Sequence, residues 1–202
     1  HFSSFFTEKK NIKSLRETIL QLAVEGKLTK TRSINTSCIG EIIEFTKNGF
    51  SGKPNDNGIG VKRLGIETVT QSSFIKLNED MAKYIEIPDK KKGKYFVKNN
   101  DIFICRQNGN LNFVGKAGVY FGKDDKLIYS DSLIQLRPIS DIIDSSYLAI
   151  FINSKTARYQ LDNFCSTTAG NFSINGTNLK KVEVPIFKIE EQQAIVEKVN
   201  SL

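Results

Sequence analysis

The segment Thr167-Thr168-Ala169-Gly170-Asn171-Phe172-Ser173-Ile174-Asn175-Gly176-Thr177-Asn178-Leu179 runs on through Lys180-Lys181-Val182-Glu183-Val184-Pro185. It then reaches Glu190-Glu191-Gln192-Gln193-Ala194-Ile195-Val196-Glu197-Lys198-Val199, and together these residues decide how the 202-residue chain is read. The Thr/Gly/Asn-rich opening reads as a polar, flexible loop. One short helical turn capped by Thr177 follows, then a brief strand with a Pro stop at Pro185. A new helix opens with Glu190 and Glu191 in its first turn, where the helix dipole favours negative charge.

Toward the N-terminus, Ile12, Leu15, Ile19, Leu22 and Ala23 recur at helical spacing, and Gly26 is placed to end that helix. The cluster from Gly49 to Gly60 is dense in turn formers and predicts an exposed loop. Short strands are expected at 61–64, 101–105, 114–121 and 133–136, punctuated by Gly and Asn. That punctuation favours a meandering, mostly antiparallel sheet over a βαβ array. Asp144 or Ser145 can cap a helix running to about residue 163, with Tyr147, Leu148, Phe151, Ile152 and Tyr159 toward the core. The expected fold class is α+β, a sheet-built body flanked by N- and C-terminal helices.

Three stretches carry a family resemblance, in one order and at family spacing. Residues 15–28, Leu-Arg-Glu-Thr-Ile-Leu-Gln-Leu-Ala-Val-Glu-Gly-Lys-Leu, are similar to an "LRE-x-IL-x-LAV-x-GKL" segment. Asn100-Asp101-Ile102-Phe103-Ile104-Cys105-Arg106, with Val114-Gly115-Lys116-Ala117, resembles a "GD-I-L-x-x-R…VGK" core. The C-terminal stretch resembles an "EEQ-x-x-IVEKV" helix after an apolar-Pro strand. Together they resemble the target recognition domain of specificity (S) subunits in type I restriction-modification enzymes. Between residues 46 and 98 the likeness fades, as expected of a stretch that reads a private DNA sequence.

That resemblance implies a non-catalytic module that binds double-stranded DNA and reads one half of a split target, a sister domain reading the other. It divides the chain into an N-terminal helical segment at 1–30, a recognition domain at 31–188 and the start of a conserved spacer helix at 189–202. Methyltransferase (M) subunits dock on the conserved helices and flip and methylate adenine. S-adenosylmethionine is expected on those M subunits alone, so the chain itself needs no cofactor and no metal. The restriction (R) subunit is an indirect partner. Leu15, Ile19, Leu22, Ile195 and Val199 are the candidate docking residues, although such a stripe also suits an intrachain core. One recognition domain is present, and Phe2, Phe5 and Phe6 ahead of the first helix favour the first of the subunit's two.

Composition narrows the alternatives independently. Hydrophobic residues make up 39% and charged residues 25%, the profile of a soluble chain able to bury a core. No apolar run approaches a membrane span, and a cytoplasmic location without membrane contact is expected. The chain opens on His1, so its start says nothing about targeting. Cys38, Cys105 and Cys165 are widely spaced and read as reduced, packed thiols. The net charge is +7, with the surplus in two stretches. Lys47, Lys53, Lys62 and Arg63 face Asp56 alone; Lys90, Lys91, Lys92, Lys94 and Lys98 face Asp89 alone. Such stretches either meet phosphates or form a solvated Lys-rich surface.

Catalytic chemistry finds no support. Paired Pro motifs of the kind that hold a flipped adenine are absent, each Pro standing alone. The Gly109–Lys116 stretch is one residue too long for a phosphate loop and has Ala117 where magnesium needs a hydroxyl. The sole His is His1, which removes histidine-based acid–base and zinc chemistry. What remains is a set of amide, hydroxyl and guanidinium groups, the equipment for reading base edges. Three candidate surfaces emerge. The first holds Lys47, Asn48, Lys53, Asn55, Lys62 and Arg63; the second Arg106, Gln107, Asn108, Asn110 and Asn112, with Lys116 beyond; the third Thr167, Thr168, Asn171 and Ser173. Each Asn or Gln also suits a turn in which the side chain bonds its own backbone. Rival readings are the recognition region of a single-chain restriction-methylation enzyme, a small basic nuclease, and a protein-binding adaptor.

Overall fold

The computed structural model describes residues 18, 21, 22, 25, 35–71, 75–123 and 126–201. Leu15 and Ile19 lie outside these. Gln21 and Leu22 are helical, and the Gln21 amide donates to Thr156 Oγ at 2.8 Å.

In chain order the body runs β1 (Asn35–Cys38), β2 (Ile43–Asn48), β3 (Val61–Leu64), α1 (Ile66–Thr70), β4 (Lys83–Ile85), α2 (Asp89–Lys92), β5 (Ile102–Cys105) and β6 (Gln107–Asn108). It continues with β7 (Ala117–Val119), β8 (Ile128–Tyr129), β9 (Leu133–Pro138), α3 (Ser145–Ile152), α4 (Lys155–Phe164), β10 (Ser166–Thr168) and β11 (Asn171–Ser173). The last elements are α5 (Gly176–Leu179), β12 (Glu183–Ile186) and α6 (Ile189–Asn200). This is the expected α+β class with mostly antiparallel sheets.

The central sheet has the order β2-β9-β5-β7 and is antiparallel throughout. One of its two inner strands, β5 with Ile-Phe-Ile-Cys, is buried on both faces, and the two-residue period of a strand sorts its side chains. Ile102 and Ile104 join one core with the helical residues Tyr147, Leu148, Phe151 and Leu161. Phe103 and Cys105 join a second with Leu64, Tyr120, Tyr129 and Leu133. A β4-β3-β8 sheet, in which β3 and β8 run parallel, carries the second core outward. β1 pairs antiparallel with β12, so the chain closes the body where it opened it.

Several sequence expectations are corrected. The single helix expected to end near residue 163 is two. Asn153 leaves the helical path to bond both backbone groups of Ala117, at 2.9 and 3.0 Å, and Ser154 caps α4 through Ala157 N–H. Asn and Ser compete with helical bonding in this way and favour caps. Tyr159 then falls on the outer face of α4, 75% exposed rather than in the core. The short turn is capped by Asn175, whose Oδ1 accepts Asn178 N–H at 2.8 Å, with Thr177 inside it. Asp144 caps α3 as expected, accepting Tyr147 N–H at 2.9 Å.

For two of the docking candidates the structure gives the intrachain alternative. Ile195 and Val199 are buried in the chain's own first core, so they are packing residues and offer no free face. Between them and the helix start lies Gln192, fully buried. Its Oε1 accepts Asp144 N–H at 2.8 Å, and its amide donates to Ile142 O and Phe187 O at 2.9 and 2.8 Å. α6 is thereby fastened to the loop ahead of α3 by polar as well as apolar contacts.

Candidate nucleic-acid interface

The polar stretch at 166–173 is a two-stranded hairpin, not a flexible loop. Ala169 and Gly170 both take positive φ, 48° and 79°, the conformation of a two-residue type I′ turn. The hairpin pairs with β6 in the order β10-β11-β6, matching Ser173 with Gln107 and Phe172 with Asn108. The second and third candidate surfaces, more than fifty residues apart in sequence, thus become one small sheet.

Strand alternation gives this sheet two unlike faces. Asn108, Thr167 and Phe172 share one, and Phe172 seats it on the first core. Gln107, Ser166, Thr168, Asn171 and Ser173 share the other, which is exposed to half-buried, uncharged and polar. Ser166 and Ser173 hydroxyls lie 3.1 Å apart across it. Beyond β6, Asn108 Oδ1 accepts Asn110 N–H at 2.9 Å and Asn110 Oδ1 accepts Asn112 N–H at 3.0 Å, so both carbonyls hold a turn.

Arg106 joins the sheet to the 130–132 loop. Its Nε donates to Asp131 O at 2.7 Å, and Nη2 donates to Gln107 Oε1 at 3.0 Å. Asp131 in turn donates its N–H to Phe50 O at 3.3 Å, and Phe50 packs edge-on against Tyr95 at 5.6 Å. Lys47 caps that cluster, its Nζ 4.7 Å from the Tyr95 ring centre and bonded to Lys94 O. Burial, then the neighbouring Lys94 charge, lowers the Lys47 pKa below the usual lysine value. The exposed Lys90, Lys91 and Lys94 stand on and just beyond α2. A neutral polar sheet therefore leads, contact by contact, to a basic cluster.

Other predicted residues are not brought there. Arg63 is 8% exposed and points inward, bonded to Ser130 Oγ with Asp131 Oδ1 at 3.9 Å. Burial pulls its pKa down against the opposing pull of Asp131. Lys62 leaves β3 on the opposite face, half-buried. The Lys116 ammonium donates to Thr70 O at 2.8 Å, with its pKa lowered by burial. Lys53 and Asn48 are exposed, whereas Asn55 clasps Ile59, donating to its carbonyl at 2.9 Å and accepting its N–H at 3.3 Å. Sequence reasoning missed Ser166, Asp131 and Ser132. The Ser-Asp-Ser break between two apolar runs was the available signal for the last two.

The chain is an α+β body, closed by the β1–β12 pair, that presents a small polar sheet. A family model described as the type I restriction modification DNA specificity domain matches residues 32–202, and the chain belongs to that family. It is 30% identical over 200 residues to the type I restriction enzyme EcoKI specificity subunit of Escherichia coli, covering 95% of this chain and 42% of that protein. The HsdS subunit from Thermoanaerobacter tengcongensis matches in structure with a TM-score of 0.63 at 17% identity, over 95% of this chain and 43% of that one. The type IIG restriction endonuclease BpuSI shares the fold at a TM-score of 0.57 and 10% identity, over 92% of this chain and 28% of that one. The chain thus spans less than half the length of these relatives.

Proposed function

We propose that this chain is the DNA-reading body of a type I specificity subunit, recognising one half of a bipartite target within an assembly of methyltransferase subunits. The observation that carries this reading is the union of β6 with the β10–β11 hairpin into one exposed amide and hydroxyl face, linked through Arg106, Asp131, Phe50 and Tyr95 to a lysine cluster. Amides and hydroxyls discriminate bases, and lysines bind phosphates and fix the register. The chain supplies no chemistry of its own; S-adenosylmethionine binds the methyltransferase subunit, and the restriction subunit acts through the assembly. With Ile195 and Val199 buried, α6 offers a partner its outer face, where Glu190, Gln193, Ala194 and Glu197 are exposed. The charge of the basic flank and the family membership favour this over an adaptor that ignores nucleic acid.

Methylated-base sequencing of cells expressing the intact system tests the proposal. A bipartite motif carrying methyladenine is expected, and it should vanish when this subunit is deleted. The resemblance to a type IIG enzyme keeps the single-chain architecture as a second reading, which the reading frame around the gene decides. Metal-dependent cleavage of duplex DNA by the purified chain would overturn the non-catalytic assignment.

A further inference from the structure

We infer that two adjacent side chains at the β5–β6 junction divide the work of recognition: Gln107 reads an adenine in the major groove, and Arg106 is the positioning residue that aims it. This rests on the DNA-recognition reading above. From sequence, Arg106 is the natural reader, because a guanidinium bonds guanine O6 and N7 together. The structure turns it inward. Nε is taken by Asp131 O and Nη2 by Gln107 Oε1. Its backbone is pinned on both sides, N–H to Ser132 O and C=O from Ile174 N–H, each at 2.9 Å. Two of its five N–H donors are thus spent inside the protein, which takes away the Nε/Nη2 fork and ties the guanidinium to Asp131 and Gln107.

Gln107 is exposed and held at both ends of its carboxamide. Oε1 faces Arg106, and Nε2 donates to Ser132 Oγ at 3.4 Å. This fixes which end is oxygen and which is nitrogen. Each end keeps capacity, a second lone pair on the oxygen and a second N–H on the nitrogen. An acceptor and a donor side by side match adenine N6–H and N7. A glutamine already fixed in this pose loses less rotamer entropy on binding than a free one. Ser173, directly opposite on β11, extends the same polar edge.

Methylated-base sequencing of the intact system, with duplex binding by the purified methyltransferase assembly, provides the test. The wild-type motif should hold an adenine, or its complementary thymine, at one position assigned to Gln107. Gln107→Glu keeps the shape but replaces the donor by an acceptor, which suits cytosine N4. It should lower methylation of the original motif about tenfold and move that one position toward cytosine. Arg106→Ala should relax the same position and leave the rest intact, with Arg106→Lys restoring part of the discrimination. Replacing that adenine by 7-deazaadenine should weaken wild-type binding about tenfold and leave Gln107→Ala unaffected.

An unchanged motif in Gln107→Glu overturns the inference. So does relaxation by Arg106→Ala at a different position, which would make the arginine a reader. Equal sensitivity of wild type and Gln107→Ala to 7-deazaadenine overturns it as well. If Arg106→Ala fails to fold, the exposed Gln107 variants still decide. A wild-type system without sequence-specific methylation would instead overturn the DNA-recognition reading beneath it.

Discussion

At position 101 a carboxylate 1% exposed accepts four hydrogen bonds: from Lys98 N–H at 2.7 Å, the Gln135 amide at 2.6 Å, and Nε and Nη2 of Arg137 at 2.8 Å each. The bond to Asp101 raises the Arg137 pKa above its ordinary value, and Arg137 also lies 4.8 Å from the Phe45 ring centre. Asp101→Asn keeps the volume and removes the charge, leaving Arg137 without its counter-ion. A loss of about 3–5 kcal/mol is expected, as for other broken buried pairs, read from the urea midpoint. Cys105 gives a second residue-level prediction. Burial pushes its thiol up to about 12, so the reactive thiolate is scarce at pH 8. Alkylation followed by peptide mapping should label the half-buried Cys38 and Cys165 first and Cys105 only after unfolding. Tyr129 and Tyr147 are likewise held above the usual tyrosine range by burial. Above about pH 9 the unfolded chain releases these protons while the folded chain keeps them, so stability falls as pH rises. The slope approaches about 1.4 kcal/mol per pH unit for each such group, measurable as a falling urea midpoint between pH 9 and 11.

Among the elements, the β10–β11 hairpin shows how far local sequence signals reach. Thr168-Ala169-Gly170-Asn171 has glycine where a type I′ turn needs it but alanine, not asparagine, at the other positive-φ position. That departure from the favoured Asn-Gly pair is why the stretch reads as a loop from sequence. Ala169→Asn should therefore stabilise the body by about 0.5 kcal/mol without moving the sheet, detectable as a small rise in thermal midpoint. The helix split at Asn153 was hidden for another reason: the asparagine breaks the run to bond β7, a distant strand that local periodicity cannot report. Strand positions were legible because Ile102–Cys105 is a continuous apolar run and Leu133–Pro138 alternates Ile134, Leu136 and Pro138 with Gln135 and Arg137. α6 was legible from its acidic first turn, yet its apolar stripe does not say which molecule buries it. Gln192→Ala separates these cases. It strands Asp144 N–H and loosens α6, so a loss of about 2 kcal/mol or more is expected, with the central sheet's amide protection retained.

Across the whole molecule, the family and the α+β class were readable from three short motifs, whereas the composition of the interface was not. Arg63 and Lys116 look from sequence like surface cations; the fold turns both inward because β3 alternation and the Thr70 carbonyl claim them. Pairing of β6 with β11 is a long-range event that no spacing announces. For the basic flank, the proposed DNA recognition makes an electrostatic prediction. The chain alone should bind duplex DNA weakly, with affinity falling steeply as salt rises. Lys90→Ala and Lys91→Ala should each reduce the salt slope by about 1 without altering sequence preference, and a flat salt response would argue against phosphate contact. The antiparallel register of Asn35 with Ile186 through Cys38 with Glu183 has a different consequence. Because departure and return share one ladder, residues 39–182 form an excursion with adjoining ends. Evolution or an engineer can exchange such a cassette for one of another length or specificity while the outgoing helix keeps its bearing. Under the proposed reading, new target sequences would be reached by recombination at two neighbouring seams, not by many simultaneous point changes.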